Sequence, residues 1–166
     1  MSDTVTKLLM VDGCPFCALA AGTETARNCL DDVVWRDDRT LAFVSPRWWP
    51  PTEGNVIVVP LAHVEDLYSI SRAELAAVYA TVQRVAIAMR EAYDCEGTST
   101  RQHNEPGAGQ DVPHFHVHVF PRRRDDRLYE RNAEFRWASP EERAPYAEKL
   151  RNCFADMSAK QFPGRV

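Results

Sequence analysis

The chain has 166 residues, of which 45% are hydrophobic and 27% are charged, and its formal net charge at pH 7 is −4. This length suits one domain with a hydrophobic core, and the negative charge excludes a global basic surface for holding nucleic acid. No apolar run reaches the length of a membrane span, and residues 1–13 lack the apolar segment of a signal peptide. We therefore expect a single cytoplasmic domain over residues 1–166, with neither a membrane nor a nucleic acid as partner.

The first half of the chain predicts three strands. Residues 33–38 and 40–45 have the composition of two strands around a charged turn, and the short apolar run at 55–60 suits a buried strand. Between the second and third strands lies a proline-rich loop, residues 46–54, which holds two of the four tryptophans.

The longest helix is predicted over residues 71–93. Ser71 and Glu74 have the spacing of a capping box, and the following apolar residues recur at helical spacing on one face: Leu75, Val78, Tyr79, Val82, Val85, Ala86, Met89 and Tyr93. A strand near 97–103, a histidine-rich strand at 113–122 and a second helix within 140–158 complete the predicted elements. One long helix beside several short strands indicates an α+β fold with a mainly antiparallel sheet.

Three of the five histidines occupy alternate positions of the segment PHFHVHVFPR: His114, His116 and His118. Because side chains on a strand alternate between faces, the imidazoles share one face and the apolar residues between them share the other. We expect the apolar face to pack on the long helix and the histidine face to look into a cleft or toward solvent. A solvated polar stripe is the alternative, although an imidazole aligned between two others is a good nucleophile.

The histidine strand resembles the motif that names the histidine triad (HIT) superfamily of nucleotide hydrolases and transferases. Three further segments are similar to that family: CPFC at 14–17, the strand with Pro-x-x-His at 56–63, and the Gly109-Gln110 turn before the triad. The resemblance covers about residues 14–125 and leaves 126–166 as a tail with a C-terminal helix. It implies a HIT-like α+β fold with a mainly antiparallel five-stranded sheet, and usually a homodimer.

The resemblance also implies a reaction on a small nucleotide. The middle histidine of the family, which corresponds to His116, attacks the α-phosphorus of a nucleoside phosphate. Water then releases a nucleoside monophosphate from the covalent nucleotidyl-histidine. The third triad position, His118, is similar to that of the hydrolase branches, since transferases of this fold commonly carry glutamine at this position. The hydrolase branches act on nucleoside phosphoramidates or diadenosine polyphosphates. A transferase or phosphorylase, or a non-catalytic nucleotide-binding module, is the alternative.

The phosphoryl oxygens need fixed donors as negative charge develops, and the resemblance suggests candidates around the triad: His118, Gln110, Gly109, Asn104 and His103. His103 is equally compatible with a loop position that has no role. The family usually grips the ribose with Asp or Asn after the second strand, where this chain offers Ser45 or Arg47 instead. Asp111 stands where the family often has a hydroxyl, and it would repel phosphate if it pointed inward.

Cys14 and Cys17 supply half of a tetrahedral zinc site. A redox pair is the alternative, but no thioredoxin-like context surrounds these cysteines. His63 and His114 resemble the other two ligands of zinc-bearing HIT proteins, which implies one structural zinc ion per chain. Many HIT proteins lack this ion, in which case the cysteines are ordinary thiols.

Other residues leave two interpretations open. Trp48 and Trp49 either stack on a nucleobase or serve packing or a dimer contact. Four arginines in the run after the triad either meet a polyphosphate or are solvated: Arg122, Arg123, Arg124 and Arg127. The tail aromatics either lie near a triad or pack the second helix on their own subunit: Tyr129, Phe135 and Trp137. Small and apolar residues off the core face of the long helix favour a homodimer: Ala76, Ala77, Ala80 and Ile87.

Overall fold

The computed structural model describes residues 13–161. The elements in chain order are α1 (Pro15–Ala20), β1 (Val33–Arg36), β2 (Thr40–Val44), β3 (Arg47–Trp48), β4 (Val56–Pro60), α2 (Arg72–Tyr93), β5 (Gly97–Arg101), β6 (Val117–Arg122), β7 (Arg136–Trp137) and α3 (Pro140–Gln161). Two parts of the predicted 1–166 domain lie outside the described residues: 1–12 and 162–166. The first of these is the segment in which no signal peptide was expected.

Five strands form the central sheet in the order β1-β2-β4-β6-β5, and every neighbouring pair is antiparallel. The prediction of an α+β fold with a five-stranded antiparallel sheet is therefore confirmed. The histidine strand is shorter than predicted, because β6 enters the sheet only at Val117. Before that point the N–H of Phe115 donates to the carbonyl of Val64, at 2.6 Å, instead of to a strand.

Helix α2 covers one face of the sheet and begins as its sequence predicts. The hydroxyl of Ser71 accepts a hydrogen bond from the N–H of Glu74 at 3.1 Å, which satisfies one of the free donors of the first turn. The carboxylate of Glu74 binds Arg39 at 2.7 Å rather than returning to the cap. Tyr79, which was predicted on the core face, is 45% exposed, because its neighbour Val78 occupies the buried stripe.

Both faces of the sheet are buried, since α1 covers the face opposite α2. All five residues of β2 and all five of β4 are buried, and alternate residues enter two different clusters. Val58 and Val117 pack toward α2, whereas Phe43 and Ile57 pack toward Phe16 of α1. The apolar run at 55–60 is thus a buried strand, as predicted.

The tail after residue 125 belongs to the packed structure. Helix α3 contacts α2 and β1 and contributes Leu150 and Phe154 to the core. Leu128 is fully buried against Trp49 and Phe120. Strand β7 pairs with β3 in a separate two-stranded sheet, which ties the tail to the loop after β2. Among residues 13–161, no helix is both long and apolar enough to span a membrane.

Candidate active site and metal centre

The three histidines lie on one side of the sheet, as the alternation predicted. The residues between them, Phe115 and Val117, are fully buried in the cluster that includes α2. The imidazoles face the side of α1, where the ring of His116 lies 5.3 Å from the ring of Phe16. His114 is fully buried and His116 is 7% exposed, so the histidine face borders enclosed space rather than open solvent.

His116 is held in one orientation and one tautomer. Its Nδ1 donates a hydrogen bond to the carbonyl oxygen of His114 at 2.7 Å. Burial lowers the pKa of His116, which favours the neutral ring at pH 7. In that ring Nε2 carries the lone pair, as a nucleophilic imidazole requires.

His118 is positioned by aromatic packing rather than by hydrogen bonds. Its ring stacks on Phe120 at 5.5 Å between centroids and lies 5.3 Å from the ring of His116. The Nδ1 atom of His118 is buried and has no hydrogen-bond partner among the described residues. Burial lowers the pKa of this imidazole well below its ordinary value. The ring therefore stays neutral, and its Nδ1 remains available to a ligand.

A second site forms where α1, the loop after β4 and the histidine segment meet. Four ligand atoms from Cys14, Cys17, His63 and His114 all lie within 4.8 Å of one another. The Sγ of Cys14 is 3.4 Å from Nδ1 of His114, and the Sγ of Cys17 is 3.4 Å from Nδ1 of His63. The Cys-x-x-Cys spacing places both thiols at the first turn of α1, where Cys14 is the N-cap.

The protonation pattern of this cluster suits a metal ion. Nε2 of His114 donates to the carbonyl of Pro60 at 2.9 Å, which leaves Nδ1 unprotonated and directed at the thiols. Burial lowers the pKa of His114 to about 4, so the ring is neutral at pH 7. Two thiols and two imidazoles at these separations match a closed tetrahedral zinc site, in which such ligands lie about 2.0 to 2.3 Å from the ion. The structure therefore brings together all four predicted metal ligands.

Two cavities meet at the triad. The first, about 300 Å³, is called here the cationic cavity because two arginines line it. Its polar lining residues include Arg47, Arg101, His103, Asp111, His116 and His118. The second, about 360 Å³, is mainly apolar and includes Phe16, Ile57, Val112 and Trp137 together with Asn28 and Ser45. Four residues line both cavities: Arg47, Asp111, His116 and His118. The ring of His116 thus stands at the junction of a cationic and an apolar space.

Three of the predicted substrate-binding residues line these cavities. Ser45 borders the apolar cavity, and its hydroxyl donates to the carbonyl of Arg47 at 3.1 Å. His103 and Gly109 border the cationic cavity, where Nδ1 of His103 donates to the carbonyl of Gly109 at 3.2 Å. Gly109 has a φ of +87°, a conformation that favours glycine.

Asn104 and Gln110 line neither cavity and instead brace the loop before the triad. Oδ1 of Asn104 accepts a hydrogen bond from the N–H of Leu67 at 2.8 Å. Gln110 donates through Nε2 to the carbonyl of Glu65 at 2.6 Å and accepts from the N–H of Glu105 at 2.6 Å. Both amides thus tie the turn that holds Gly109 to the segment after β4.

Asp111 borders both cavities, but its charge is paired. Its carboxylate forms an ion pair with the guanidinium of Arg47. The repulsion that the sequence suggested for a phosphate is therefore offset locally. Arg47 also stacks on Phe135 of the tail, at 3.8 Å from the ring centroid, so its position depends on the tail.

The tryptophans and the tail aromatics differ in whether they border a cavity or only pack within the protein. Trp48 packs edge-on against Tyr146, whereas Trp49 borders the cationic cavity and donates through Nε1 to the carbonyl of Asn132. Trp137 borders the apolar cavity of its own subunit, and the guanidinium of Arg27 lies 3.7 Å from its ring centroid. Tyr129 is 63% exposed and lines neither cavity.

The four arginines that follow the triad have partners away from the cavities. Arg122 pairs with Asp126 and Arg127 with Glu130, while Arg123 donates to main-chain carbonyls at the end of α2. Arg124 lies 3.9 Å from Glu96. None of these arginines lines either cavity.

The cavity residues that sequence reasoning missed include Arg101, Asn132 and Asn28. Arg101 is the strand partner of His118 across β5 and β6. Arg101 reaches the cavity because of the register between β5 and β6. The sequence does not specify this register, because residues 102–116 form a long irregular connection between the two strands. Asn28 is 4% exposed on the segment between α1 and β1, a segment with no predicted element.

Known proteins resemble this chain in both sequence and structure. The HIT domain family model matches residues 26–125. The chain is 30% identical over 111 residues to Protein hit of Bacillus subtilis, covering 67% of this chain and 72% of that protein. It is 30% identical over 94 residues to the asymmetrical bis(5'-nucleosyl)-tetraphosphatase of Schizosaccharomyces pombe, covering 57% of this chain and 50% of that enzyme.

Among solved structures, a zinc-bound histidine triad family protein from Mycobacterium smegmatis superposes with a TM-score of 0.73 and 29% identity. The superposition covers 89% of this chain and 97% of that protein. The similarity therefore extends well beyond residues 26–125 and includes most of the tail.

Proposed function

The chain belongs to the HIT family, and from this membership and the geometry of the triad we propose that it is a nucleotide hydrolase acting through a covalent nucleotidyl-His116 intermediate. Its substrate is a nucleoside phosphoramidate or a dinucleoside polyphosphate, cleaved at the α-phosphate to release a nucleoside monophosphate. The S. pombe relative is named as a tetraphosphatase, an activity of this kind.

The hydrogen bond from Nδ1 of His116 to the carbonyl of His114, at 2.7 Å, is the observation that carries the proposal. It leaves the lone pair on Nε2, in a ring that borders both cavities. A nucleoside bound in the apolar cavity and a leaving group in the cationic cavity would place the reacting phosphorus at this junction. Such positioning of reactants supplies a large part of catalysis in phosphoryl transfer.

The reaction proceeds in two displacements. Nε2 of His116 uses its lone pair to form a bond to the α-phosphorus, and the bond from phosphorus to the leaving group breaks with its electron pair on the leaving group. An amine takes up a proton from solvent as it leaves, whereas a polyphosphate leaves as an anion. Water then attacks the same phosphorus and loses its proton to solvent, and the phosphorus–nitrogen bond breaks with its electron pair returning to Nε2.

The residues around His116 hold the phosphate. We assign His118 to a phosphoryl oxygen, because its ring lies beside His116 and its Nδ1 has no partner among the described residues. The turn at Gly109 offers main-chain N–H groups at the edge of the cationic cavity, and Gln110 braces that turn. Fixed donors of this kind stabilise the charge that develops on the phosphoryl oxygens.

Cys14, Cys17, His63 and His114 would hold one structural zinc ion, which fastens α1 to the histidine segment. The zinc-bound relative from M. smegmatis and the close approach of the four ligand atoms support this assignment. Thiolate ligands require reduced cysteines, so we expect the protein to work in the reducing cytoplasm.

A substrate panel on the purified protein tests the proposal. Adenosine 5'-phosphoramidate and diadenosine polyphosphates should each be tested for release of AMP, and quenched reactions should be analysed for AMP bound to His116. Release of AMP with the modified histidine supports a hydrolase. Accumulation of ADP that depends on added inorganic phosphate would instead identify a phosphorylase, and absence of any adenylylated protein would contradict the mechanism.

A further inference from the structure

The cationic cavity contains two guanidinium groups packed on one aromatic ring. The guanidinium carbons of Arg47 and Arg101 lie 4.9 Å and 4.7 Å from the ring centroid of Trp49. Trp49 is itself 2% exposed and is fixed by the hydrogen bond from its Nε1 to the carbonyl of Asn132. Two like charges are therefore held on a rigid support beside the triad, although they repel each other.

Both arginines keep unused hydrogen-bonding capacity. The Nε atoms of Arg47 and Arg101 are buried without a partner among residues 13–161. One nitrogen of Arg47 binds Asp111, whereas Nη1 of Arg101 makes only a long hydrogen bond of 3.4 Å to Oδ1 of Asn132. Burial, and next the charge of Arg47, lower the pKa of Arg101. A buried cation without a counter-ion is costly, and an anionic ligand would offset that cost.

The charges that line this cavity favour an anion. Two arginines face one carboxylate, that of Asp111, which is already paired with Arg47. Arg101 therefore forms no ion pair among the described residues, and Asp111 acts on it only at longer range. It stands opposite His118 in the strand register, next to the position where a leaving group would separate from a phosphorus bound to His116.

We propose that Arg47 and Arg101 form a binding site for an anionic leaving group, so that this enzyme prefers substrates whose leaving group is a polyphosphate. The inference rests on the proposed function and narrows it. When the bond between the α-phosphorus and the bridging oxygen breaks, that oxygen keeps the electron pair and the leaving polyphosphate gains negative charge. Guanidinium groups bind phosphate oxygens well because their planar N–H donors match them in geometry. A neutral amine leaving group gains nothing from the two cations.

Direct binding of inorganic tripolyphosphate tests the site without turnover. Calorimetry on the intact protein should detect binding, and Arg101→Gln should weaken it about tenfold or more, as expected for a lost charge-assisted contact. Asp111→Asn should act in the opposite direction and tighten binding about threefold, because it removes the carboxylate that competes for Arg47. Arg124→Gln is the matched control, since the Arg124 side chain is 84% exposed and outside the cavity.

A second measurement compares two substrates that share adenosine and the α-phosphate. The ratio of kcat/KM for diadenosine tetraphosphate to that for adenosine 5'-phosphoramidate should fall about tenfold or more in Arg101→Gln, and by less in Arg101→Lys, which keeps the charge but loses the planar donors. Melting temperatures of all variants show whether each is folded.

The two proposals fail in different ways. Absence of tripolyphosphate binding to the unaltered protein, or equal affinity and an unchanged substrate ratio in folded Arg101→Gln, overturns the leaving-group site while AMP-modified His116 still supports the hydrolase. Tripolyphosphate binding that depends on Arg101 without any modified His116 would retain the anion site and contradict the hydrolase mechanism.

Discussion

The carbonyl oxygen of His114 accepts the hydrogen bond that orients His116, at 2.7 Å, while the imidazole of the same His114 points at Cys14. One residue therefore belongs to two sites, through its main chain to the nucleophile and through its side chain to the cysteine–histidine cluster. A displacement of the main chain at His114 would shift both the imidazole that meets the cysteines and the carbonyl oxygen that fixes the tautomer of His116. The cysteine–histidine cluster and His116 are therefore coupled through a single residue.

Replacing the nucleophile should abolish the reaction and leave the fold in place. His116→Ala removes the only atom that forms the covalent bond, so we expect turnover to fall ~10³-fold or more. Steady-state release of AMP and mass spectrometry of the quenched protein measure the two consequences. A variant that keeps near-normal activity, with an unchanged melting temperature, would rule out a nucleotidyl-His116 intermediate.

Metal analysis of the purified protein should find about one zinc ion per chain. Cys14→Ser should abolish this stoichiometry and lower the melting temperature by roughly 10 °C or more, because a structural metal site contributes directly to the free energy of folding. Cys95→Ser is the control, since Cys95 is buried in the core and remote from the cluster. Full stability in protein purified free of zinc without chelators would refute the assignment.

Trp137 should contribute to binding of the nucleoside. It borders the apolar cavity and is 47% exposed, so a base could stack on part of its ring. Trp137→Ala should raise KM about tenfold for both substrates, which corresponds to ~1.4 kcal/mol of stacking energy. Tyr129→Ala serves as the control because Tyr129 lies outside both cavities. If the two substitutions change KM equally, the tail has no specific role in the nucleoside cavity.

The ion pair between Arg122 and Asp126 should make stability depend on pH in the acid range. Hydrogen bonds from Arg122 lower the pKa of Asp126 to about 2, and the carboxylate is only 1% exposed. A lowered folded-state pKa stabilises the protein above the unfolded-state value of about 4, and this contribution is lost as pH falls toward 2. Asp126→Asn should therefore cost about 2 kcal/mol at pH 7 and progressively less below pH 4.

Urea unfolding at pH 7 and pH 3 measures this difference. Glu130→Gln removes the exposed pair with Arg127 and should change the free energy of unfolding by less than ~1 kcal/mol at either pH. A loss of stability in Asp126→Asn that is the same at both pH values would show that packing, rather than charge, accounts for the effect.

Light scattering in dilute solution should give the mass of two chains. Helix α2 exposes Ile87, which is 44% accessible, on the surface where the sequence predicts a homodimer. Ile87→Lys should shift the mass toward one chain by placing a charge in the interface, whereas Tyr68→Lys, at a position that is 72% exposed and precedes α2, should not. A mass of one chain for the unaltered protein would refute the dimer.

The sequence predicted the parts of this molecule that depend on local periodicity. The alternation in PHFHVHVF places the imidazoles on one side and Phe115 on the other, and the helical spacing after Ser71 defines α2, because both patterns follow from backbone geometry. The cysteine–histidine cluster was predicted through the family motifs, and the structure brings its four members within 4.8 Å.

The parts that escaped prediction depend on contacts distant in the chain. Arg101 reaches the triad only through the register of β5 with β6, and Phe135 meets Arg47 only because β7 pairs with β3. Tyr79 satisfies the helical spacing of the core face but lies at its edge, since periodicity defines a stripe without fixing its width. The amide of Gln110 is committed to Glu65, a contact that no sequence pattern indicates.

The pairing of β3 with β7 also has a consequence for biosynthesis. The cation of Arg47 lies against Phe135, and α3 covers β1 and α2 with residues that a ribosome adds after the histidine segment. Until those residues emerge, a nascent chain has its three histidines but lacks helix α3, which covers the core, and strand β7, which pairs with the strand of Arg47. Contacts between residues so far apart in sequence form late because closing a long loop is entropically costly. The two cavities beside the histidines, which Asn132 and Trp137 help to line, therefore cannot be complete until these residues have been synthesised.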